Sequence, residues 1–215
     1  MLRIPLTNPR IVGCVSLVLL LLGGVAAAGA EEPWGLLERV RDELTRSPRQ
    51  ADFVQSYIPA GFSSGEQEEG RIFIALPDCV RWDYQSPYAK SFLLCEETVW
   101  TWNEGETSGR RQVLVADEQQ GLDLLRLSVE SLRGRYAASV ETTAGGSFEV
   151  LLSSLTPNDA LRDARFLIDA DRNLLIGLSY HDLEGNLTRF EISGYGSLGP
   201  GSVFAPPVEI EWLEE

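Results

Sequence analysis

The stretch GRIFIALPDCVRWDYQSPYAKSFLLCEETVWTW, which spans residues 70–102, decides the fold of this chain. It holds three apolar runs of strand length, and turn signals at Pro77 and at Ser86-Pro87 separate them. Because short connections join strands that pair with their sequence neighbours, the stretch predicts an antiparallel meander. Side chains alternate between the two faces of a strand, so each run has one apolar face. That face is either ordinary sheet core or the lining of an apolar cavity.

The alternation separates an inner face from an outer face of this ribbon. Arg81 and Asp83 lie on the polar side of the second run, and we expect that outer side to be the wetter one. The opposite, inner face carries the large apolar side chains. We assign to it Ile72, Ile74, Leu76, Val80, Trp82, Tyr84, Phe92, Leu94 and Trp100.

Two cysteines lie symmetrically about the second turn. Cys79 and Cys95 are equidistant from Pro87, and residues equidistant from the centre of an antiparallel hairpin face each other. A cross-strand disulfide on the outer face is therefore possible, and two free thiols are the alternative. Closing this loop would stabilise the fold by roughly 3 kcal/mol.

Residues 1–30 have the form of a cleavable secretory signal. Arg3 and Arg10 precede an apolar run over residues 11–25, and the small residues AAAGA end at Ala30. The run is short for a membrane span, so we predict cleavage after Ala30, with an uncleaved anchor as the alternative. The mature chain, residues 31–215, is then a single exported domain.

The composition of the chain restricts its partners. The net charge is −14, and the signal segment contributes two arginines and no acid, so the mature chain is more acidic still. This charge disfavours binding to nucleic acid and to anionic lipid surfaces. Cys79, Cys95 and the distant His181 do not make a metal ligand set, so we expect no metal site.

Two amphipathic helices and many short strands make up the mature chain. Pro33 follows two acids and begins a helix that ends before Ser47-Pro48. A second helical stripe begins at Asp117 and extends to Tyr136. About ten short strands with neighbour connections predict an antiparallel sheet that curls toward a barrel. Other expected features are loops at residues 62–69 and 103–110, a strand at residues 111–116, a short helical turn after Thr156 and a C-terminal strand at residues 208–212.

The sequence offers little for catalysis. His181 is the only histidine, and we expect it to be an exposed structural residue at a strand end. No G-x-S-x-G nucleophile elbow occurs. Carboxylates are abundant in so acidic a chain, so pairs of them indicate nothing by themselves. We predict that the protein is not an enzyme, and a secreted hydrolase that uses two facing carboxylates is a distant alternative.

Five short motifs occur in order along the chain. They are DFVQS (52–56), G-x-I-x-I-x-x-P (70–77), VRWDY (80–84), TVWTW (98–102) and LTP (155–157). Together they resemble the periplasmic outer-membrane lipoprotein carrier family, the LolA-like proteins, over nearly the whole mature chain. The resemblance implies a mainly β fold: an incomplete, strongly curved antiparallel β-barrel with amphipathic helices covering its open face.

The resemblance also implies a function without cofactor or covalent chemistry. Such proteins are monomers that carry the acyl chains of lipoproteins through the periplasm. They receive them from an inner-membrane ABC transporter and deliver them to an outer-membrane acceptor. The inner face would be the acyl-chain surface, and a tight core without a cavity is the alternative. The residues that we assign to the covering helices are Trp34, Leu37, Val40, Leu122, Leu125, Val129 and Leu132. A sensor or regulatory module that binds lipid or protein on the same fold is the second function to consider.

One residue departs from the family pattern. Relatives often carry an arginine immediately before the proline that ends the first run, where it can hydrogen-bond the covering helix. Here that position is Leu76. The sequence therefore predicts that the usual polar latch is missing.

Overall fold

The computed structural model describes residues 31–114, 124–156, 161–199 and 203–214. The predicted signal segment, Leu122 and residues 157–160 lie outside these ranges, so the predictions for them stay untested. Residues from Glu31 onward form one compact unit. Among the described residues, no helix is long and apolar enough to cross a membrane.

The described residues form two helices and twelve strands. The helices are α1 (Pro33–Thr45) and α2 (Val129–Arg135). The strands are β1 (Arg49–Ile58), β2 (Glu66–Ala75), β3 (Cys79–Ser86), β4 (Lys90–Cys95), β5 (Thr98–Asn103), β6 (Ser108–Val113), β7 (Tyr136–Thr142), β8 (Phe148–Ser154), β9 (Leu161–Asp169), β10 (Leu174–Asp182), β11 (Leu187–Ser197) and β12 (Glu211–Glu214).

All twelve strands belong to one open, curled sheet, as the sequence predicted. Two meanders, β1–β6 and β7–β11, pair antiparallel through their strands β1 and β11. The exception to the antiparallel pattern is β12, which pairs parallel with the edge strand β6. The predicted meander over residues 70–102 is confirmed, and it lies in the middle of the first half of the sheet.

The first helix begins where the sequence predicts. The Glu32 side chain caps it by accepting a hydrogen bond from Gly35 N at 2.6 Å, and Pro33 occupies the first turn, where no N–H is needed. Leu36, Leu37, Val40 and Leu44 make one buried stripe along the helix. That stripe packs against the sheet, with contacts to β2, β7 and β10.

The second helix is shorter than predicted. Its described part starts at Val129, because Ser128 has extended backbone angles and its Oγ accepts a hydrogen bond from Ser131 N at 3.0 Å. Tyr136 is not helical but begins β7. Leu124 and Leu125 are buried in the turn that precedes the helix, so the apolar stripe persists although the helix does not.

Two predicted loops give way to strands. Residues 66–69 pair with β1, with Glu66 opposite Tyr57, so the polar end of the β1–β2 hairpin is regular strand. Residues 108–110 belong to β6, where Arg110 pairs with Thr101 of β5, and Ser108 and Gly109 pair with β12. Backbone pairing therefore extends these strands beyond their apolar residues, and the pattern of side chains does not indicate this extension.

The outer face of the β3–β5 ribbon is not wet, contrary to the sequence prediction. The C-terminal segment, residues 203–214, lies along it. Arg81 Nη1 donates to the carbonyl of Val203 at 2.8 Å, and the rings of Trp102 and Trp212 lie 5.9 Å apart. Leu93, which lies opposite Arg81 on this face, is fully buried.

A disulfide bond joins Cys79 to Cys95 on this covered face. The two residues lie directly opposite each other in the β3–β4 register, as their positions about the turn predicted. The carbonyl of Phe204 approaches Cys95 Sγ at 4.0 Å. The bond therefore lies beneath the C-terminal segment.

Replacing both Cys79 and Cys95 by serine is expected to lower the free energy of unfolding by about 3 kcal/mol. The bond spans 16 residues of sequence, and its loss frees that loop in the unfolded chain. Denaturant titration of the oxidised parent and the variant measures the difference. The reduced parent serves as the control and should match the variant, whereas equal midpoints for the oxidised parent and the variant would contradict the expectation.

Candidate functional site

The inner face of the sheet is floored by an aromatic cluster. Trp82 is 1% exposed, and its ring centroid lies 5.1 Å from that of Phe53 in β1 and 4.8 Å from that of Phe190 in β11. Tyr84 continues the cluster at 5.0 Å from Phe53. Edge-to-face packing, as in these two Phe53 pairs, adds about 0.5–1.5 kcal/mol per pair to burial itself. The cluster therefore joins β1, β3 and β11 into one apolar floor.

Of the residues that we assigned to the inner face, seven lie in the buried core or pack against it: Ile72, Ile74, Leu76, Val80, Trp82, Tyr84 and Phe92. Leu94 is buried and lies opposite Val80 on the same face. Phe92 is half-buried at the margin of the core, 5.6 Å from the ring of Tyr84. The exception is Trp100, whose assignment is wrong. Cys95 pairs with Thr98 across a two-residue turn, and this register places Trp100 opposite Leu93 on the outer face.

Other strands contribute inner-face residues that the sequence reasoning did not single out. They come from β1, β9, β10 and β11. These buried residues are Phe53, Phe166, Ile168, Leu178, Phe190 and Ile192. Alternation of buried and less buried residues marks one face in β9 and β11, whereas β10 begins Leu174-Leu175-Ile176 without alternation. What was missing was the β1–β11 pairing that brings the two halves of the sheet around one core.

The helix α1 and residues 124–135, which we call the lid, cover this floor. The described residues that we predicted for the covering helices are buried or pack on the core. Those residues are Trp34, Leu37, Val40, Leu125, Val129 and Leu132. A cavity of about 30 Å³ remains between Leu37 and Val40 of the lid and Phe166 and Leu175 of the sheet. At this place the lid packs closely on the sheet.

Two arginines of the lid hold it down. Arg41 Nη1 donates to the carbonyls of Arg126 and Leu127, at 3.1 and 2.8 Å, and so ties α1 to the segment before α2. Arg126 Nε donates to the carbonyl of Pro77 at 3.3 Å, which ties that segment to the end of β2. Burial, and secondarily the charge of Arg126, lower the pKa of Arg41.

Leu76 lies under these contacts. Its side chain is buried in the core and lines the small cavity beneath the lid. It therefore adds apolar contact where an arginine would have supplied hydrogen bonds. The polar fastening nonetheless exists, with the cation on the lid and the acceptor, Pro77 O, on the sheet.

The far end of the inner face is polar. Tyr84 donates its hydroxyl hydrogen to Gln55 Oε1. Lys90 lies opposite Tyr84, and its Nζ lies 2.8 and 3.0 Å from the two carboxylate oxygens of Glu68. Burial, then the charges of Glu68 and Tyr180, raise the pKa of Tyr84, so the phenol is a protonated donor at neutral pH.

His181 is half-buried, not exposed as the sequence suggested. Its Nδ1 lies 2.8 Å from Asp163 Oδ1, across the β9–β10 pair. Within the described ranges, no group of three His, Cys, Asp or Glu side chains is arranged to hold a metal ion.

Comparison with known proteins identifies the architecture. The model of the family "Outer membrane lipoprotein carrier protein LolA" matches residues 47–199. An uncharacterised conserved protein of Thermus thermophilus superposes with a TM-score of 0.54 at 11% identity, covering 84% of this chain and 98% of that one. A LolA superfamily protein of Nitrosomonas europaea gives a TM-score of 0.43 at 7% identity, over 80% and 96% of the two chains.

A chain of the Pseudomonas aeruginosa MucA/MucB complex gives a TM-score of 0.48 at 13% identity, over 83% of this chain and 62% of that one. No curated protein sequence matches. The Thermus thermophilus structure, with a TM-score above 0.5, establishes the fold alone. The family model spans well over half of the sequence and covers the floor of the inner face and the predicted motifs between residues 52 and 157, so the chain belongs to the outer membrane lipoprotein carrier protein LolA family.

Proposed function

We propose that this protein is a periplasmic carrier that shields the acyl chains of lipoproteins during transfer from the inner to the outer membrane. The observation that carries the proposal is the apolar floor around Trp82, which is covered by the lid. Membership of the LolA family supports it. The chemistry is binding and release, without a catalytic step.

The lid lowers the affinity for acyl chains to a level that still permits their release. Each acyl CH₂ removed from water contributes about 0.8 kcal/mol, so a long chain on an open apolar face would bind too tightly to be released. Val40 and Leu125 cover the floor in the empty protein and must leave it before chains can enter. The cost of displacing the lid is subtracted from the affinity, so the cargo is held but remains transferable.

The proposed route has three steps. A cleaved signal segment, residues 1–30, delivers the protein to the periplasm. An inner-membrane ABC transporter hands over an acylated lipoprotein, and an outer-membrane acceptor receives it. The strong negative charge of the chain supports transfer to a partner with a basic patch and disfavours adsorption to anionic membranes on the way.

The test is purification from the native periplasm followed by mass spectrometry of bound lipid and protein. We expect acylated lipoprotein with the parent and much less with Phe92→Asp, because this change places a charge at the half-buried margin of the inner face. The matched control is Tyr88→Asp, in the exposed turn of the same hairpin, which should retain the cargo. Bare phospholipid, or no lipid with the parent, would contradict the carrier function. A bound non-acylated peptide would favour the sensor alternative.

A further inference from the structure

Lys90 is the only lysine in the chain, and it lies on the inner face. It is the first residue of β4 and pairs with Tyr84 near the end of β3. Its side chain is 29% exposed, so the ammonium is neither free in solvent nor sealed in the core. A lone lysine at the margin of an apolar floor requires an explanation beyond surface solubility.

The surroundings of Lys90 hold the ammonium in one place. Its Nζ lies 4.6 Å from the ring centroid of Tyr84 and 5.9 Å from that of Phe92. Both oxygens of Glu68 are within hydrogen-bond distance, and the Glu68 side chain is 19% exposed. Tyr84 is itself fixed through its hydrogen bond to Gln55. The four side chains Gln55, Glu68, Tyr84 and Lys90 form what we call the polar margin.

The polar margin lies at the opposite end of the floor from the hydrogen bond between Arg126 and the carbonyl of Pro77. Val80 and Leu94 pair near Pro77, whereas Tyr84 and Lys90 pair four residues further along β3. At about 3.3 Å per residue, this is a separation of roughly 13 Å along the strand. The floor is thus apolar along its length and has a hydrogen-bonding group at one end.

The chemistry of the polar margin matches one part of an acylated molecule. An ammonium has three N–H donors, and its contacts with the two oxygens of Glu68 use at most two of them. The ester carbonyl oxygens between acyl chain and glycerol only accept hydrogen bonds. Burying them without a donor is costly, so a half-buried cation beside the floor favours ester over purely hydrocarbon chains.

We propose that Lys90 binds the ester carbonyl oxygens at the glycerol end of the cargo, so that the acyl chains run from the polar margin toward Leu76. This inference rests on the proposed carrier function and adds an orientation and a specificity to it. Glu68, Tyr84 and Phe92 act by positioning the ammonium. The substrate class is therefore diacylglyceryl esters and not acyl or alkyl chains in general.

The test compares two synthetic lipopeptides that differ only in the link between chain and glycerol, ester in one and ether in the other. The ether analogue keeps the chain length and loses the carbonyl acceptors. We expect the parent to bind the ester form about 10-fold more tightly, since hydrogen bonds to charged groups are the strong ones. Lys90→Met should lose this preference while still binding the ether form. Arg71→Met, which changes an exposed cation paired with Asp52, should keep it.

The outcomes separate the two proposals. A parent protein that binds neither lipopeptide contradicts the carrier function. A parent that binds both equally, or a Lys90→Met variant that still prefers the ester, overturns the role of Lys90 alone. Glu68→Gln provides a second variant: its amide oxygen still positions the ammonium but competes less for it than a carboxylate does, so the ester preference should rise several-fold, and an unchanged preference would also count against the proposal.

Discussion

Trp82→Ala is expected to lower the free energy of unfolding by about 3–5 kcal/mol. Trp82 is 1% exposed, and its ring contacts Phe53 and Phe190 from two other strands. Truncation leaves a cavity where the two halves of the sheet meet, and rigid neighbouring strands cannot collapse to fill it. Thermal and denaturant unfolding of the purified variant measure the loss.

The matched control is Trp100→Ala. Trp100 is a tryptophan of the same sheet that lies half-buried on the outer face. Its truncation should cost clearly less, because part of the ring already contacts solvent. Equal losses for the two variants would show that the inner face is no more tightly packed than the outer. Alanine is needed here, since Trp82→Asp would place an unpaired carboxylate in the core and unfold the protein whatever the function of the floor.

The inner face was predictable because its signal is local. Val80 and Trp82 alternate with small or polar neighbours, and short turns decide that the strands pair in sequence order. Alternation then assigns a face to every residue of a run. Trp100 lies beyond a turn, where the face of a residue depends on the register of the two strands, and a shift of one residue reverses it.

The covering of the outer face could not be predicted. Arg81 and Asp83 read as a solvent-exposed pair, and they do bond each other, with Arg81 Nε 2.7 Å from Asp83 Oδ1. What buries their neighbour Leu93 is a segment more than a hundred residues later, which pairs parallel with β6. No local pattern in residues 203–214 indicates this partner, because pairing between distant segments depends on the backbone of both.

The sequence predicted that the usual arginine contact to the lid is missing, but not which contacts replace it. Leu76 showed that the usual cation was missing from the sheet, and the structure has a hydrophobic contact there. The replacement comes from Arg41 and Arg126, which read as ordinary polar residues of amphipathic segments. An arginine that reaches a backbone carbonyl on another element leaves no trace in sequence, because every residue offers the same acceptor.

Arg41→Met is expected to tighten the binding of a neutral apolar fluorescent probe by up to about tenfold. In the parent, the two hydrogen bonds from Arg41 to the carbonyls of residues 126 and 127 stabilise the lid on the floor. Their loss should favour opening by about 1.4 kcal/mol, which is a tenfold shift in the equilibrium. The apparent dissociation constant equals the intrinsic one divided by the open fraction, so a larger open fraction lowers it.

The sign of this effect distinguishes a displaceable lid from a fixed one. If the lid were a fixed part of the binding site, removing Arg41 would loosen the site and weaken the binding of the probe. A displaceable lid competes with the ligand, so weakening the lid strengthens binding and slows release to an acceptor. Arg46→Met is the control: Arg46 pairs with Glu43 at the exposed end of α1, and its loss should leave the probe affinity unchanged. Faster hydrogen exchange in residues 124–135 of the empty Arg41→Met protein would locate the change in the lid, and weaker probe binding would contradict the competition between lid and cargo.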